Sequence, residues 1–214
     1  MYTWRLRKFA GVNENGESTW YKHDDEGNLI TTTDPTSITR DEDFFNCGTA
    51  LPDFYGGFNT GLSAFGFDFN ISFAYSVGGK VMDWTYLQLM QNPQSGLTGM
   101  ALHRDILNAW TPDNTGSDIP RLNYNDQYAN YTSDRFLTNA SYLTLSNITL
   151  GYTLPKKWTN AIGAEKIRFY VVGDNLYTWS KRKGLDPRQS ISGSTSQAYY
   201  RPIRTISGGV TITL

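Results

Sequence analysis

The residues best suited to chemistry in this sequence are few and far apart. Its two histidines, His23 and His103, sit in different polar stretches. Neither has a second ligand at the close spacing that a zinc site needs, so both read as surface histidines. Asp41-Glu42-Asp43 is an acidic run without the spaced ligands or central glycine of a calcium loop, and it reads as solvated loop. Ser63 lies in "GLSAFG", but Phe65 stands where a nucleophile elbow requires glycine, and the surroundings are those of a hairpin. No glycine-rich phosphate loop is present. Cys47 is the sole cysteine, so the fold has no internal disulfide, and it reads as a small buried or loop thiol. Trp84 and Trp110 are the loop candidates for stacking on a sugar ring, with packing onto the loop base the preferred reading of both. These residues assemble no catalytic, metal or cofactor set, and the chain is not expected to be an enzyme.

Composition limits the partners. Charged residues make up 18% of the 214, below the roughly 25% of an average soluble domain, whereas aromatics reach 14%. The net charge of -1, with no Lys/Arg cluster interleaved among the aromatics, argues against nucleic acid. No run approaches the 18 or so apolar residues of a membrane helix, and Met1 is followed by Tyr-Thr-Trp-Arg instead of an export signal. A mean hydropathy of -0.47 does not exclude a β-barrel, whose strands alternate lipid-facing and water-facing residues.

The elements follow from a period of two. In "FGFDFNISFAYSVGG", Phe67, Phe69, Ile71, Phe73 and Tyr75 share one face, opposed by Asp68, Asn70, Ser72, Ala74 and Ser76. Ile148, Leu150, Tyr152 and Leu154 repeat the pattern, as do Ile206, Gly208, Val210, Ile212 and Leu214. Strands are expected near residues 2–10, 54–63, 66–77, 142–154, 167–178 and 203–214. Leu143 and Leu145 are out of phase with the row that starts at Ile148, which places a bulge near Ser146 and Asn147. The connections differ in kind. Those around Ala64 and Phe65 and from Pro155 are short; those over 11–53, 78–141 and 179–202 are long and polar. The short ones gather at one end, as periplasmic turns do in an outer-membrane barrel, and the long ones at the other, as extracellular loops do. Within the loops, "GLTGMALHRDILNAW" predicts a short amphipathic helix through Leu102, Ile106 and Trp110, and residues 19–32 predict a hairpin turning at Glu26-Gly27-Asn28.

The ending "SYLTLSNITLGYTLPKKW", "IRFYVVGDNLYTWSKRKGLDP" and "YYRPIRTISGGVTITL", with "ALPDFYGGFNTGLSAFGFDFNISFAYSVGGKVMD" upstream, resembles the C-terminal region of SusC/RagA-type TonB-dependent outer-membrane transporters of Bacteroidota. Leu150-Gly151-Tyr152, Asn175-Leu176 and Gly184-Leu185-Asp186-Pro187, in that order, carry the likeness. Three positions depart from the family's habit: Arg188 follows Asp-Pro where Glu is common, Tyr200-Arg201-Pro202 replaces a Tyr-Pro pair, and Leu214 ends the chain where Phe is usual. The resemblance implies an all-β fold. Residues 1–214 would supply about six antiparallel, up-and-down strands of an incomplete 22-stranded transmembrane barrel, with long extracellular loops and one short loop helix, and without the plug domain and TonB box. It implies a cell outer membrane location, partnership with a SusD-like lipoprotein and the TonB complex, and import of an oligosaccharide or peptide. On that reading Phe67, Phe69, Ile71, Phe73, Ile148, Leu150, Val210 and Ile212 meet lipid, Tyr152 and Trp179 sit nearer the interfaces, and Asp68, Asn70, Thr149 and Thr211 line the lumen. The rival reading is a secreted carbohydrate-binding β-sandwich with its Phe rows buried between two sheets. A self-contained eight-stranded barrel would need two further strands.

Overall fold

The structure, a computed structural model, describes residues 2–91, 99, 101–182, 184–189 and 201–214. Its strands are β1 (Thr3–Leu6), β2 (Phe9–Val12), β3 (Ser18–His23), β4 (Leu29–Thr32), β5 (Phe45–Thr49), β6 (Phe54–Ala64), β7 (Phe67–Val77), β8 (Lys80–Met82), β9 (Leu137–Asn139), β10 (Tyr142–Thr153), β11 (Lys166–Ser180) and β12 (Thr205–Thr213). Two short helices accompany them, α1 (Trp84–Leu89) and α2 (Lys156–Thr159). The chain divides into two units, one of Pro52–Gly78, Ala140–Arg188 and Ala198–Leu214, the other of the remainder.

The first unit is one antiparallel sheet in the order β12-β11-β10-β7-β6. Apart from the small elements carried by the other unit, neighbours in the sheet are neighbours in sequence, which is the up-and-down arrangement expected. Between β6 and β7 the chain turns on Phe65 and Gly66, both with positive φ (54° and 85°), a hairpin geometry whose twist matches the strands. Gly66 is needed twice over, because a side chain there would also meet the Thr153 carbonyl at 2.7 Å. The other short connection forms α2 and a 3₁₀ turn over Asn160–Ile162, closed by left-handed Gly163. The predicted bulge is present: pairing of β10 with both neighbours shifts between Leu145 and Asn147. One step from Ser72 to Phe73 on β7 spans two on β10 and three on β11, from Asp174 to Tyr177.

The expected strand over 2–10 does not join this sheet. It is split into β1, which pairs with β5, and β2, which pairs with β3. Five long strands therefore form the sheet. The long polar connections, read as loops, hold most of the second unit: the β2-β3-β4 sheet, which contains the predicted hairpin, and the β1-β5 and β8-β9 pairs. Met82, Leu87, Met90, Ile106, Ala109, Ile119 and Phe136 form its core. The helix expected through Leu102 and Trp110 is a five-residue 3₁₀ segment, Arg104–Asn108, capped by the His103 side chain. The α-helix lies earlier, at α1, where the Asp83 carboxylate accepts from the Tyr86 N–H. Among the described residues, no helix is long and apolar enough to cross a membrane.

Candidate functional site

Register sorts the sheet's side chains into two faces. Phe67 pairs with Tyr152, Phe69 with Leu150, Ile71 with Ile148 and Phe73 with Leu145 across β7 and β10. Farther along, Phe169 pairs with Val210 and Ile167 with Ile212 across β11 and β12. Because side chains alternate along each strand and partners share a face, these residues form one contiguous apolar surface. Leu62, paired with Phe69, and Val171, paired with Leu150, extend it. The surface is bare: Leu62 is 71% exposed, Phe67 54%, Leu150 49% and Val210 52%. A sandwich would bury such rows under a second sheet, so the β-sandwich reading does not describe this unit.

The opposite face is polar, and Asp68, Asn70, Thr149 and Thr211 lie on it, as Thr149 pairs with Asn70 and Arg168 with Thr211. Its densest feature spans three strands. Arg168 of β11 donates from Nε to Asp68 Oδ1 at 2.9 Å and from Nη2 to Oδ2 at 2.5 Å, across the intervening β10. Gly151 of β10 leaves the room. A Cβ there would come within 2.5 Å of both Arg168 Nη2 and Asp68 Oδ1. The Leu-Gly-Tyr signature thus has a physical reason, and its partner Arg168 was missed although its even position in β11 placed it on the polar face. A second glycine of this face, Gly209, lies under the Tyr170 ring, whose hydroxyl would collide with a Cβ at that position. On β10, Thr149 Oγ1 donates to Asn147 Oδ1 at 3.1 Å, and Asn147 Nδ2 donates to Asp174 of β11 at 2.8 Å.

At the loop end of β11, a cleft of about 490 Å³ is lined by Tyr177, Trp179, Leu185, Asp186, Arg188, Arg201 and Arg204, among others. Arg188 grips the buried Asp186 in a two-pronged pair, at 2.9 Å from Nε and 2.7 Å from Nη2, and adds its backbone N–H at 3.0 Å. Burial alone would push the Asp186 carboxyl up, but the Arg188 hydrogen bonds and the charges of Arg188 and Arg201 together hold it below the usual range. Arg188, where the family commonly has Glu, is the clamp of this loop.

The residues singled out for chemistry go separate ways. Asp43, read as solvated, is 2% exposed and accepts from the His23 backbone N–H at 2.7 Å, with the His23 ring nitrogen Nδ1 at 2.8 Å. Asp41 turns outward to Arg5, and Glu42 lies 3.7 Å from Arg40. His103 accepts from the Asp105 N–H and stands edge-on to Tyr86. Cys47 is buried in β5, and burial raises its pKa, leaving a thiol with little thiolate character. Ser63 sits in β6 opposite Asp68. Trp84 packs against the core of its unit, and the Trp110 ring lies against Gly16, whose Cβ would fall 2.5 Å from it. Among the described residues, no cluster of His, Cys, Asp or Glu could hold a metal ion.

No family model matches the chain. It is 33% identical over 150 residues, 70% of its length, to the TonB-dependent receptor P3 of Formosa agariphila, of which it spans 14%. It is 31% identical over 140 residues to the TonB-dependent receptor SusC of Bacteroides thetaiotaomicron, covering 65% of this chain and 13% of that protein. The RagAB peptide importer in its open-open state superposes on 98% of the chain with a TM-score of 0.78 at 26% identity. The chain belongs to the SusC/RagA-type TonB-dependent receptors. This SusC/RagA-type chain spans 22% of the RagAB importer chain it matches, less than a quarter of each of these relatives. Its relatives are receptors and importers by name, not enzymes.

Proposed function

We infer that residues 1–214 form part of the wall of an outer-membrane, TonB-dependent importer that takes up an oligosaccharide or peptide together with a SusD-like lipoprotein. The observation that carries this reading is the bare apolar face of the five-stranded sheet, backed by a polar face that holds the Asp68–Arg168 pair. Exposed apolar area of that extent is costly in water and favoured against acyl chains. The spacing of the aromatics supports it. Along β11 the apolar row begins at Phe169, runs through Val171 and ends at Tyr177 and Trp179, whose rings are 4.7 Å apart. On the regular strand β7 the same two levels are Phe67 and Tyr75, eight steps apart; at roughly 3.3 Å a step and a tilt of about 40° they are about 20 Å apart in height, close to the apolar band of roughly 25 Å between a barrel's aromatic girdles. Phe67 and Tyr152, 4.5 Å apart, mark the lower girdle. That Phe67, Phe69, Ile71, Phe73, Ile148, Leu150, Val210 and Ile212 share the apolar face, and Asp68, Asn70, Thr149 and Thr211 the polar one, supports assigning the first set to lipid and the second to the lumen. A peptide cargo is supported by the importer named in the structural neighbour.

The test is paired lysine substitution in the full-length transporter. Ile148, paired with Gly173, is near mid-height of the band, and its neighbour Thr149 points the other way. Ile148→Lys should cost roughly 2–4 kcal/mol, reduce the heat-modifiable barrel on a gel and lower TonB-dependent uptake of labelled peptides or oligosaccharides. Thr149→Lys should leave barrel formation intact. Equal tolerance of both lysines would remove the assignment of faces, and with it the membrane reading.

A further inference from the structure

The cleft at the loop end of β11 has a charge that transport through the lumen does not call for. Among the described residues, its charged lining is Asp186, Arg188, Arg201 and Arg204. Asp186 is neutralised by Arg188, so the guanidinium groups of Arg201 and Arg204, both on exposed residues, remain as a net double positive charge. These groups stand at a defined height. Thr205 begins β12 opposite Asp174, so Arg204 directly precedes the last paired residue, and Tyr177 and Trp179 continue β11 past it into the wall of the same cleft. Aromatic rings with polar edges next to arginines are what the boundary between acyl chains and headgroups selects, since the rings take the apolar side and the cations the anionic one.

We propose that this cleft is a binding site for the phosphate-bearing headgroup of an outer-leaflet lipid, with Arg201 and Arg204 contacting the phosphate and Tyr177 and Trp179 lying along the first segment of its acyl chains. The proposal rests on the membrane reading of the sheet. Arg188 has a positioning role, because its fork is already committed to Asp186 and holds the loop that closes one side of the cleft.

The site is tested in the full-length transporter, reconstituted in phosphatidylcholine nanodiscs containing one-tenth bisphosphorylated lipid A, by native mass spectrometry of the lipid retained. The wild type should keep lipid A in preference to phosphatidylcholine, and that preference should weaken as salt is raised. The double variant Arg201→Gln with Arg204→Gln, which spares the Asp186–Arg188 clamp, should lower lipid A retention roughly tenfold without changing phosphatidylcholine retention. Competition by inorganic phosphate at millimolar concentration distinguishes the sources: displacement of lipid A by it would make the cleft a site for a free anion and overturn the lipid assignment. Unchanged retention in the double variant would overturn the site itself. In either case a heat-modifiable barrel shows that the membrane reading still stands; loss of the barrel in the wild type would sink both.

Discussion

Gly151 positions two charged groups by having no side chain of its own. The guanidinium of Arg168 and the carboxylate of Asp68 come from strands that are not neighbours, and they meet only because β10 is flat between them. Gly151→Ala puts a methyl group 2.5 Å from both partners, so the pair must open or the strands must part. In the full-length transporter this should cost roughly 1–3 kcal/mol, read as a lowered unfolding midpoint in detergent. Arg168→Ala should cost a similar amount by leaving Asp68 without its partner, and the two substitutions combined should cost much less than their sum, since both remove one interaction. Gly209→Ala crowds the Tyr170 ring, over which the Arg168 guanidinium lies at 5.2 Å, so a smaller coupling to Arg168→Ala is expected there too. Additivity of Gly151→Ala with Arg168→Ala would mean that the glycine serves something other than the ion pair.

The strands were legible where a single period runs through them, and the loops were not. Alternation over Phe67–Val77, Tyr142–Thr153 and Thr205–Thr213 placed the apolar residues on one face, and even the break in phase at Leu145 was readable, because a bulge is the only local way to return both leucines to that face. Trp4 and Leu6 alternate as well, yet β1 pairs with β5 in the other unit, since alternation of a short segment says which residues share a face but not which strand they join. The Asp68–Arg168 pair was hidden for a related reason: its members are a hundred residues apart, and only the register through β10 brings them together. The predicted amphipathic helix was misplaced because Leu102 and Ile106 match helical spacing by chance, while the Asp83 cap was the stronger local signal. The bulge itself is testable. Deleting Ser146 from the full-length receptor removes the extra residue on β10 and leaves Leu145 one step from Asn147, as Phe73 is from Ser72 on β7, so Leu143 and Leu145 keep the apolar face. The barrel should therefore still form, as it should for Ser146→Ala, which keeps the count; loss of the barrel in the deletion alone would show that β10 needs the extra residue to pair with β11, where the same step spans Asp174 to Tyr177.

At the scale of the molecule, the sheet poses a problem that its own strands do not solve. Among the described residues, β6 and β12 are each paired on one side only, so every second residue of both presents an N–H and a C=O that no other strand of the sheet receives. In water those groups would be hydrated; against acyl chains each costs several kcal/mol, and five strands fall short of the eight with which the smallest outer-membrane barrels close. The apolar face and the open edges therefore make opposite demands, one for lipid and the other for water, and further strands on both sides reconcile them. That the chain spans less than a quarter of its relatives is in keeping with such neighbours. Hydrogen exchange can measure the reconciliation amide by amide. In the full-length transporter in detergent, the outward amides of β6 and β12 should be as strongly protected as those of β10, which is paired on both sides. Expressed alone, the 214-residue chain should collect in aggregates, with the same edges pairing between copies. If the outward amides of β6 and β12 exchanged in the full-length protein as fast as those of an exposed loop, the sheet would have no strands beside it and closure into a barrel wall would be wrong.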